Sequence, residues 1–260
     1  MYPYPLLEIG KFSVHLYGVG IAIGIICTII VLRTFGKKLG VEIKFLDFVE
    51  LNAYASIGVG FFSSALFQAV YNYIEDPSAG FDLFGGGITF LGGLIGGAAT
   101  FLIIYFIFKK RYQSSFKDII SFVPSCILIA HAFGRVGCFF AGCCYGIETD
   151  SWLGVHFPGV PGNVYPTQLF EAIFLLVMFG ITAYLSYKKD FKYNFSVYLI
   201  SYGIFRFLIE FIRGDDRGSL VTGISPSQFW SLLMIVLGIG LIFFVKYFYF
   251  GKDKKNELEN

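Results

Sequence analysis

The stretch Ser231-Leu-Leu-Met-Ile-Val-Leu-Gly-Ile-Gly-Leu-Ile-Phe-Phe-Val245 contains no charged side chain. It belongs to an apolar run near residues 226–249, which is long enough for a helix to cross the hydrocarbon core of a bilayer. Similar runs occur near residues 14–33, 48–72, 87–108, 118–135, 167–187 and 195–212. The sequence therefore predicts an all-α, polytopic integral membrane protein with about seven transmembrane helices.

The composition supports this class. Of 260 residues, 56% are hydrophobic and only 15% are charged, whereas soluble domains carry about 25% charged residues. No linker, repeat or low-complexity segment divides the chain, so we expect a single transmembrane domain over residues 1–260, with residues 251–260 as a solvated tail. The opening residues lack a basic region and a small-residue cleavage site, so the first span is expected to be the insertion signal.

Most basic residues fall in alternate loops. Short loops that are rich in Lys and Arg stay on the cytoplasmic side, so the N-terminus is predicted outside and the C-terminus inside. Topology thus explains the basic residues, and nothing in the net charge of +2 indicates nucleic acid. Fifteen of the 20 basic residues form the cytoplasmic set: Arg33, Lys37, Lys38, Lys44, Lys109, Lys110, Arg111, Lys117, Lys188, Lys189, Lys192, Lys246, Lys252, Lys254 and Lys255.

Arg135 lies in the run from His131 to Gly146, directly after an apolar stretch. A guanidinium at the end of a membrane span costs several kcal/mol unless it holds an anion. Four glycines between Gly134 and Gly146 would let the backbone approach that anion closely. We therefore expect Arg135 at the outer end of the fourth span, with a lipid phosphate as the candidate anion. His131, one helical turn earlier, is a candidate proton acceptor.

The sixth span carries Tyr202, Arg206, Glu210 and Arg213, spaced by four, four and three residues. On an α-helix these residues would share one face. Arg206 and Glu210 could form a purely structural pair, or Arg213 could add the net positive charge that binds phosphate. Together with Arg135, these arginines could meet near the outer leaflet, or each could extend separately to lipid headgroups.

Three further features allow more than one interpretation. Seven glycines between residues 85 and 97 favour close helix packing, or a helix start that binds an anion. His15 opens the first span either as an interfacial anchor or as a base. Glu171 is expected in the first turn of the fifth span, where the helix dipole alone favours a carboxylate.

Cys138, Cys143 and Cys144 follow Arg135 on the predicted oxidising side. They could form a disulfide, pack as small side chains, bind a soft metal, or supply a reactive thiolate. No second His/Cys group has metal-ligand spacing, so zinc is disfavoured and no metal is predicted.

Several short motifs recur in a characteristic order along nearly the whole chain. They are His15-Leu-Tyr17-Gly18, Gly86-Gly-Ile-Thr-Phe-Leu-Gly-Gly-Leu-Ile-Gly96, Gly134-Arg-Val-Gly137, Tyr165-Pro-Thr-Gln-Leu-Phe-Glu171, Tyr202-Gly-Ile-Phe-Arg206 and Glu210-Phe-Ile-Arg213. Their order and spacing resemble the prolipoprotein diacylglyceryl transferase family. The resemblance implies a membrane enzyme of lipoprotein biosynthesis that transfers the diacylglyceryl group of phosphatidylglycerol to the lipobox cysteine of a prolipoprotein signal peptide. Glycerol 1-phosphate would be released, at the outer face of a bacterial plasma membrane, without a cofactor.

The resemblance also implies roles for individual residues. Arg135 would hold the phosphatidylglycerol headgroup, and Arg206 with its neighbours would hold or neutralise the leaving phosphate. With His131 as candidate base, the predicted catalytic residues are Arg206, Tyr17, Tyr202, Glu210 and His131. The predicted substrate-binding residues are Arg135, Arg213, Gly134, Gly137, Gly146, Gly92 and Gly93.

The chain departs from the family pattern at several positions. Leu91 stands where the family has a histidine, Cys138 and Ala141 stand in place of asparagines, and Cys143 replaces a glutamate. An arginine expected near residues 63–65 is also missing. Two alternatives therefore stay open: a divergent paralogue that combines the phospholipid site with thiol chemistry at Cys138, Cys143 and Cys144, and a non-catalytic phospholipid-binding protein.

Overall fold

The structure is a computed structural model that describes residues 4–10, 12–83, 87, 89–189, 191–214 and 223–247. Lys11 and Arg217, which the predicted topology puts in outer loops, lie outside these ranges, as do Gly85, Gly86 and the predicted tail. The described elements are β1 (Leu7–Ile9), β2 (Phe12–Val14), α1 (Leu16–Lys38), α2 (Ile43–Glu75), α3 (Phe90–Phe108), α4 (Phe116–Ile119), α5 (Val123–Ala141), α6 (Thr167–Lys189), α7 (Asn194–Ile209) and α8 (Pro226–Val245).

Within the described residues, seven helices are long and apolar enough to cross a membrane, which confirms the predicted fold class. The fourth span differs from the expected range of 118–135. Pro124 occupies the first turn of α5, and the helix continues to Ala141 before Gly142 ends it in a left-handed conformation. Arg135 consequently lies inside α5, about two turns before its end. The antiparallel hairpin of β1 and β2 had no counterpart in the sequence-based prediction.

The chain divides into two compact units, Met1–Leu39 with Ile119–Asn260, and Gly40–Asp118. In the second unit, α2 packs against α3 through small residues. A Cβ added to Gly92 would lie 2.7 Å from the Phe67 side chain, and one added to Gly60 would lie 3.0 Å from the Gly93 carbonyl. Close helix packing, one of the two interpretations of the glycine-rich segment, therefore applies to Gly92 and Gly93. The single domain stays a prediction.

In the first unit, α5, α6 and α7 enclose a shared core that includes Leu128, Leu175 and Tyr198. Helix α1 approaches α5 closely because Gly20 and Gly24 face its backbone. A Cβ at either position would lie 3.0–3.1 Å from a carbonyl oxygen of α5. The shared core holds α5, α6 and α7 against one another.

The two ends of α6 differ in chemistry. At its C-terminal end, the Lys38 ammonium of α1 lies 3.6 Å from the centre of the Tyr187 ring, beside Lys188 and Lys189. At its N-terminal end, about 34 Å away for a helix of 23 residues, Thr167 contacts the turn that follows α5. The turn that follows α5, which contains Cys143 and Cys144, is therefore found away from the basic end of α6.

Candidate active site

Glu171 is the centre of a polar cluster between α5, α6 and α7. Its carboxylate is only 1% exposed and accepts a hydrogen bond of 2.7 Å from the Tyr202 hydroxyl. The Nε atom of Arg135 lies 3.0 Å from one carboxylate oxygen, and Nε2 of His131 lies 3.6 Å from the other. Because a buried carboxylate needs such partners, these contacts explain how Glu171 is accommodated inside an apolar bundle.

Arg135 uses only one side of its guanidinium in this cluster. Its Nε atom is close enough to Glu171 for an ion pair, but the N–H group does not point at the carboxylate as a hydrogen bond would require. Among the described residues, no hydrogen bond engages its two terminal amino groups, and the side chain keeps 20% exposure. Arg135 therefore has donors available for an anion, and a planar guanidinium suits phosphate oxygens well.

The ring of His131 meets the Tyr202 ring edge to face, with 5.2 Å between centroids. The side chain is 27% exposed and lies beside Glu171. The structure thus places His131, Arg135 and Tyr202 together, whereas the sequence related only His131 to Arg135. Proton acceptance by His131 stays a prediction.

Arg206 lies in a second, adjacent polar group. Its NH1 atom is 2.6 Å from a carboxylate oxygen of Glu210, and NH2 donates to the Ser227 hydroxyl at 2.9 Å. The other carboxylate oxygen of Glu210 accepts a hydrogen bond of 2.9 Å from Ser225, the residue that caps the N-terminus of α8. Arg206 is only 7% exposed. The hydrogen bonds from Arg206 to Ser227 and from Ser225 to Glu210 tie the end of α7 to the start of α8.

Arg213 does not share a helical face with Arg206, so that prediction was wrong. Helix α7 ends at Ile209, Glu210–Ile212 forms a single 3-10 turn, and Arg213 is extended, with φ −79° and ψ 144°. The helix does not continue to Arg213 because the backbone of Arg213 forms an antiparallel bridge with Gly146 instead. This bridge brings Arg213 to the loop that carries the cysteines.

The three cysteines Cys138, Cys143 and Cys144 converge at the end of α5. Their sulfur atoms all lie within 4.8 Å of one another. Gly142 and Cys144 both adopt left-handed conformations, with φ of 67° and 64°, and these turn the chain back over Cys138. All cysteines of the chain fall within the described residues, and all are free thiols.

The thiols of this cluster differ in acidity. The pKa of Cys144 is lowered, because hydrogen bonds from Cys138 and Cys143 and the Arg213 guanidinium stabilise its thiolate. The pKa of Cys143 is raised, because its proton is held between the sulfur atoms of Cys138 and Cys144. Arg135 also interacts electrostatically with Cys138 and Cys144, so the cysteine cluster and the arginine adjoin.

Tyr17 completes the surroundings of Arg135. It lies at the start of α1, is 43% exposed, and interacts electrostatically with Arg135 and Cys138. Gly137 makes this approach possible, since a Cβ there would lie 3.1 Å from the Tyr17 carbonyl oxygen. Gly134, by contrast, has no neighbour within 4 Å that a Cβ would meet. Gly137 therefore allows Tyr17 of α1 to pack directly against the backbone of α5.

Comparison with known proteins identifies the family of this chain. The family model described as prolipoprotein diacylglyceryl transferase matches residues 5–244. The chain belongs to the prolipoprotein diacylglyceryl transferase family. It is 37% identical to the phosphatidylglycerol–prolipoprotein diacylglyceryl transferase of Clostridium tetani over 243 residues, which are 90% of this chain and 94% of the relative.

Two further relatives of the same description show how far the similarity extends. The chain is 35% identical to phosphatidylglycerol–prolipoprotein diacylglyceryl transferase 2 of Clostridium perfringens, over 89% of this chain and 91% of the relative. It is 33% identical to the enzyme of Francisella tularensis subsp. novicida, over 98% of this chain and 96% of the relative. The chain is therefore a multi-pass membrane protein of a transferase family.

Glu171 is the site residue whose importance the sequence did not show. It was expected in the first turn of its helix on dipole grounds, but α6 begins at Thr167 and its first turn has no acidic residue. Its position one turn further on directs the carboxylate towards Arg135 and Tyr202 rather than the helix end. The sequence signal that could have indicated the pair was an arginine in one span, Arg135, and a carboxylate in the next span, Glu171, neither of which had a partner on its own helix.

Gly146 is a structural residue of this site. A Cβ added there would lie 2.5 Å from the Ile212 carbonyl oxygen and 2.8 Å from the Tyr165 side chain. We expect Gly146→Ala to lower the free energy of unfolding by about 1–3 kcal/mol, as overpacking does elsewhere. Thermal unfolding of the purified protein in detergent measures this, with Gly134→Ala as the control in open space. Equal stability of the two variants would contradict the close packing of Gly146 against Ile212.

Proposed function

We propose that this chain transfers the diacylglyceryl group of phosphatidylglycerol to the lipobox cysteine thiol of a prolipoprotein signal peptide, with release of glycerol 1-phosphate. Family membership and the names of the relatives support the donor lipid and the acceptor protein. The observation that carries the proposal is the open guanidinium edge of Arg135, which is anchored on Glu171 beside a cluster of polar groups.

The chemistry requires stabilisation of a leaving phosphate. The acceptor sulfur forms a bond to a glyceryl carbon while the bond from that carbon to the phosphate oxygen breaks. Negative charge develops on the departing phosphate, and preorganised cationic donors lower the barrier most when they meet that charge. Arg135 offers such donors, because its terminal amino groups have no hydrogen bond among the described residues.

Arg206 has a different role in this proposal. Both of its terminal amino groups are engaged, one by Glu210 and the other by Ser227. The guanidinium of Arg206 is therefore held in one orientation and adds positive charge next to the site. In this proposal Arg206 is a positioning residue, and Arg135 holds the headgroup. Tyr202, whose hydroxyl donates to Glu171, keeps the carboxylate directed at Arg135.

The basic ends of α1 and α6 support an assignment of the site to one side of the membrane. Lys37 and Lys38 lie in the last turn of α1, and Lys188 and Lys189 lie in the last turn of α6, away from Arg135. Basic helix ends remain cytoplasmic, so the cluster around Glu171 faces outwards from a bacterial plasma membrane. A prolipoprotein that has been exported would meet the lipid at this face.

A transfer assay tests the proposal. The purified protein is incubated in vesicles with phosphatidylglycerol labelled in its diacylglyceryl group and a peptide that carries a lipobox cysteine. We expect label on the cysteine peptide, none on the matched peptide with serine, and none from phosphatidylethanolamine. Binding of phosphatidylglycerol without any transfer would overturn the proposal and favour the non-catalytic alternative.

A further inference from the structure

We propose that Cys138, Cys143 and Cys144 form a binding site for a thiophilic divalent metal ion, Zn²⁺ first, whose open fourth position takes the acceptor thiol. The role of the fourth position rests on the proposed function, whereas metal binding does not. The site follows from the convergence of the three thiols, their fixed backbone and their surroundings.

The sulfur atoms need little movement to bind such an ion. They lie within 4.8 Å of one another. Tetrahedral zinc with Zn–S bonds of about 2.3 Å requires about 3.8 Å between sulfur atoms, so closure by about 1 Å is sufficient. Rotation about the Cα–Cβ bonds supplies movement of this size without moving the backbone.

Hydrogen bonds from the start of α6 hold the turn in place. The Thr167 hydroxyl donates to the Cys144 carbonyl at 2.8 Å, and the Gln168 side-chain amide donates to the Cys143 carbonyl. The Cys143 amide donates in turn to the Cys138 carbonyl at 3.2 Å. Metal ligands are most effective when a surrounding shell fixes their orientation in this way.

Positive charge balances the ligands. Three thiolates and a divalent ion leave one net negative charge. The Arg213 guanidinium hydrogen-bonds to the Cys144 thiol group, and Arg135 interacts electrostatically with Cys138 and Cys144. The arginines that adjoin the cluster can therefore offset the surplus charge.

The number of ligands fits an open site. Structural zinc sites use four protein ligands, whereas catalytic sites use three and keep the fourth position for water or substrate. The sequence-based prediction of no metal relied on the absence of a further His/Cys group, and an open site does not need one. Cys143 is exposed, so a substrate can reach the fourth position.

The open position would activate the acceptor. A coordinated thiol loses its proton readily, and the proton passes to water or buffer. The metal-bound sulfur then donates an electron pair to the glyceryl carbon, and the carbon–oxygen bond breaks with its pair remaining on the phosphate oxygen. Glycerol 1-phosphate leaves, and the neutral thioether dissociates because it binds the metal more weakly than a thiolate does. No oxidant or reductant takes part.

Metal binding is tested first, without activity. The full chain, purified in detergent with reductant, is analysed for Zn²⁺ content and titrated with Co²⁺, whose thiolate charge-transfer absorption reports cysteine ligands. We expect about one ion per chain, and an affinity lowered by more than about 100-fold in Cys143→Ser. The matched control is Cys27→Ser, in α1 and outside the cluster, with unchanged affinity.

Other results would overturn the site. These are equal affinity in Cys143→Ser and Cys27→Ser, no thiolate absorption with reduced protein, or an isolated protein whose cluster holds a disulfide that survives reductant. Because Cys143 is exposed, Cys143→Ser is expected to keep the thermal stability of the parent. Cys144→Ser provides a second variant with the same expected loss of affinity.

The acceptor role is tested next. Adding the cysteine peptide should change the Co²⁺ spectrum, and the serine peptide should not. Removing the metal should lower transfer by more than about 100-fold, with recovery on adding Zn²⁺. Full transfer by metal-free protein would overturn the acceptor role and leave the proposed function intact. Absence of transfer with every metal, despite Co²⁺ bound through thiolates, would overturn the proposed function and leave the metal site standing.

Discussion

Glu171→Leu is expected to lower the free energy of unfolding by about 3–5 kcal/mol, among the largest effects of any single substitution in the chain. Removing one partner of a buried ion pair leaves the other charge uncompensated. Here Arg135 would lose its counter-ion at 3.0 Å, and the Tyr202 hydroxyl would lose its acceptor at 2.7 Å. Unfolding of the purified protein in detergent, by heat or denaturant, measures the loss.

Matched variants separate the carboxylate from simple packing. Glu148→Leu makes the same change at an exposed loop position and should stay within about 0.5 kcal/mol of the parent. Arg135→Met combined with Glu171→Leu should be more stable than Glu171→Leu alone, because no unpaired charge remains. If the double variant is the less stable of the two, Arg135 and Glu171 are not coupled as the structure indicates.

The spans could be predicted from sequence because a bilayer imposes a simple requirement. Backbone groups in lipid must be satisfied within the chain, so long apolar runs become helices. The runs near residues 167–187 and 226–249 accordingly match α6 and α8 closely. The boundaries of α5 were less predictable, since Pro124 starts the helix and the left-handed Gly142 ends it, and hydropathy records neither effect.

The site was only partly predictable, for a related reason. Spacing along one helix shows which residues share a face, and it correctly predicted that Arg206 and Glu210 pair. It does not give the partner of a charge on another helix, so Glu171 was assigned to its own helix dipole. Spacing also fails where the helix ends, as it does before Arg213.

The cysteines show the same limit more clearly. Positions 138, 143 and 144 are five and six residues apart, which on a continuous helix would direct the thiols to different sides. They meet because Gly142 and Cys144 adopt left-handed conformations after α5 ends. A turn of this kind depends on the hydrogen bonds from Thr167 and Gln168, which come from a later part of the chain.

Arg135→Lys is expected to lower kcat/KM for transfer from phosphatidylglycerol by about 10²–10³, the loss typical when one preorganised donor to a developing charge is removed. Lysine keeps the positive charge that Glu171 requires, so the fold should be retained. It lacks the planar fork with which arginine can meet two phosphate oxygens, and it places a point charge there instead. The measurement is transfer to the lipobox peptide, together with the unfolding temperature of the same preparation.

Arg33→Lys is the matched control, because it makes the same exchange at the basic end of α1, away from the polar cluster. It should leave transfer unchanged. A loss in kcat/KM for Arg135→Lys with an unchanged unfolding temperature assigns the effect to phosphate recognition, since a defect in the Glu171 ion pair would lower stability as well. Full transfer by Arg135→Lys would mean that the guanidinium fork does not hold the headgroup, and that the phosphate is bound by other groups.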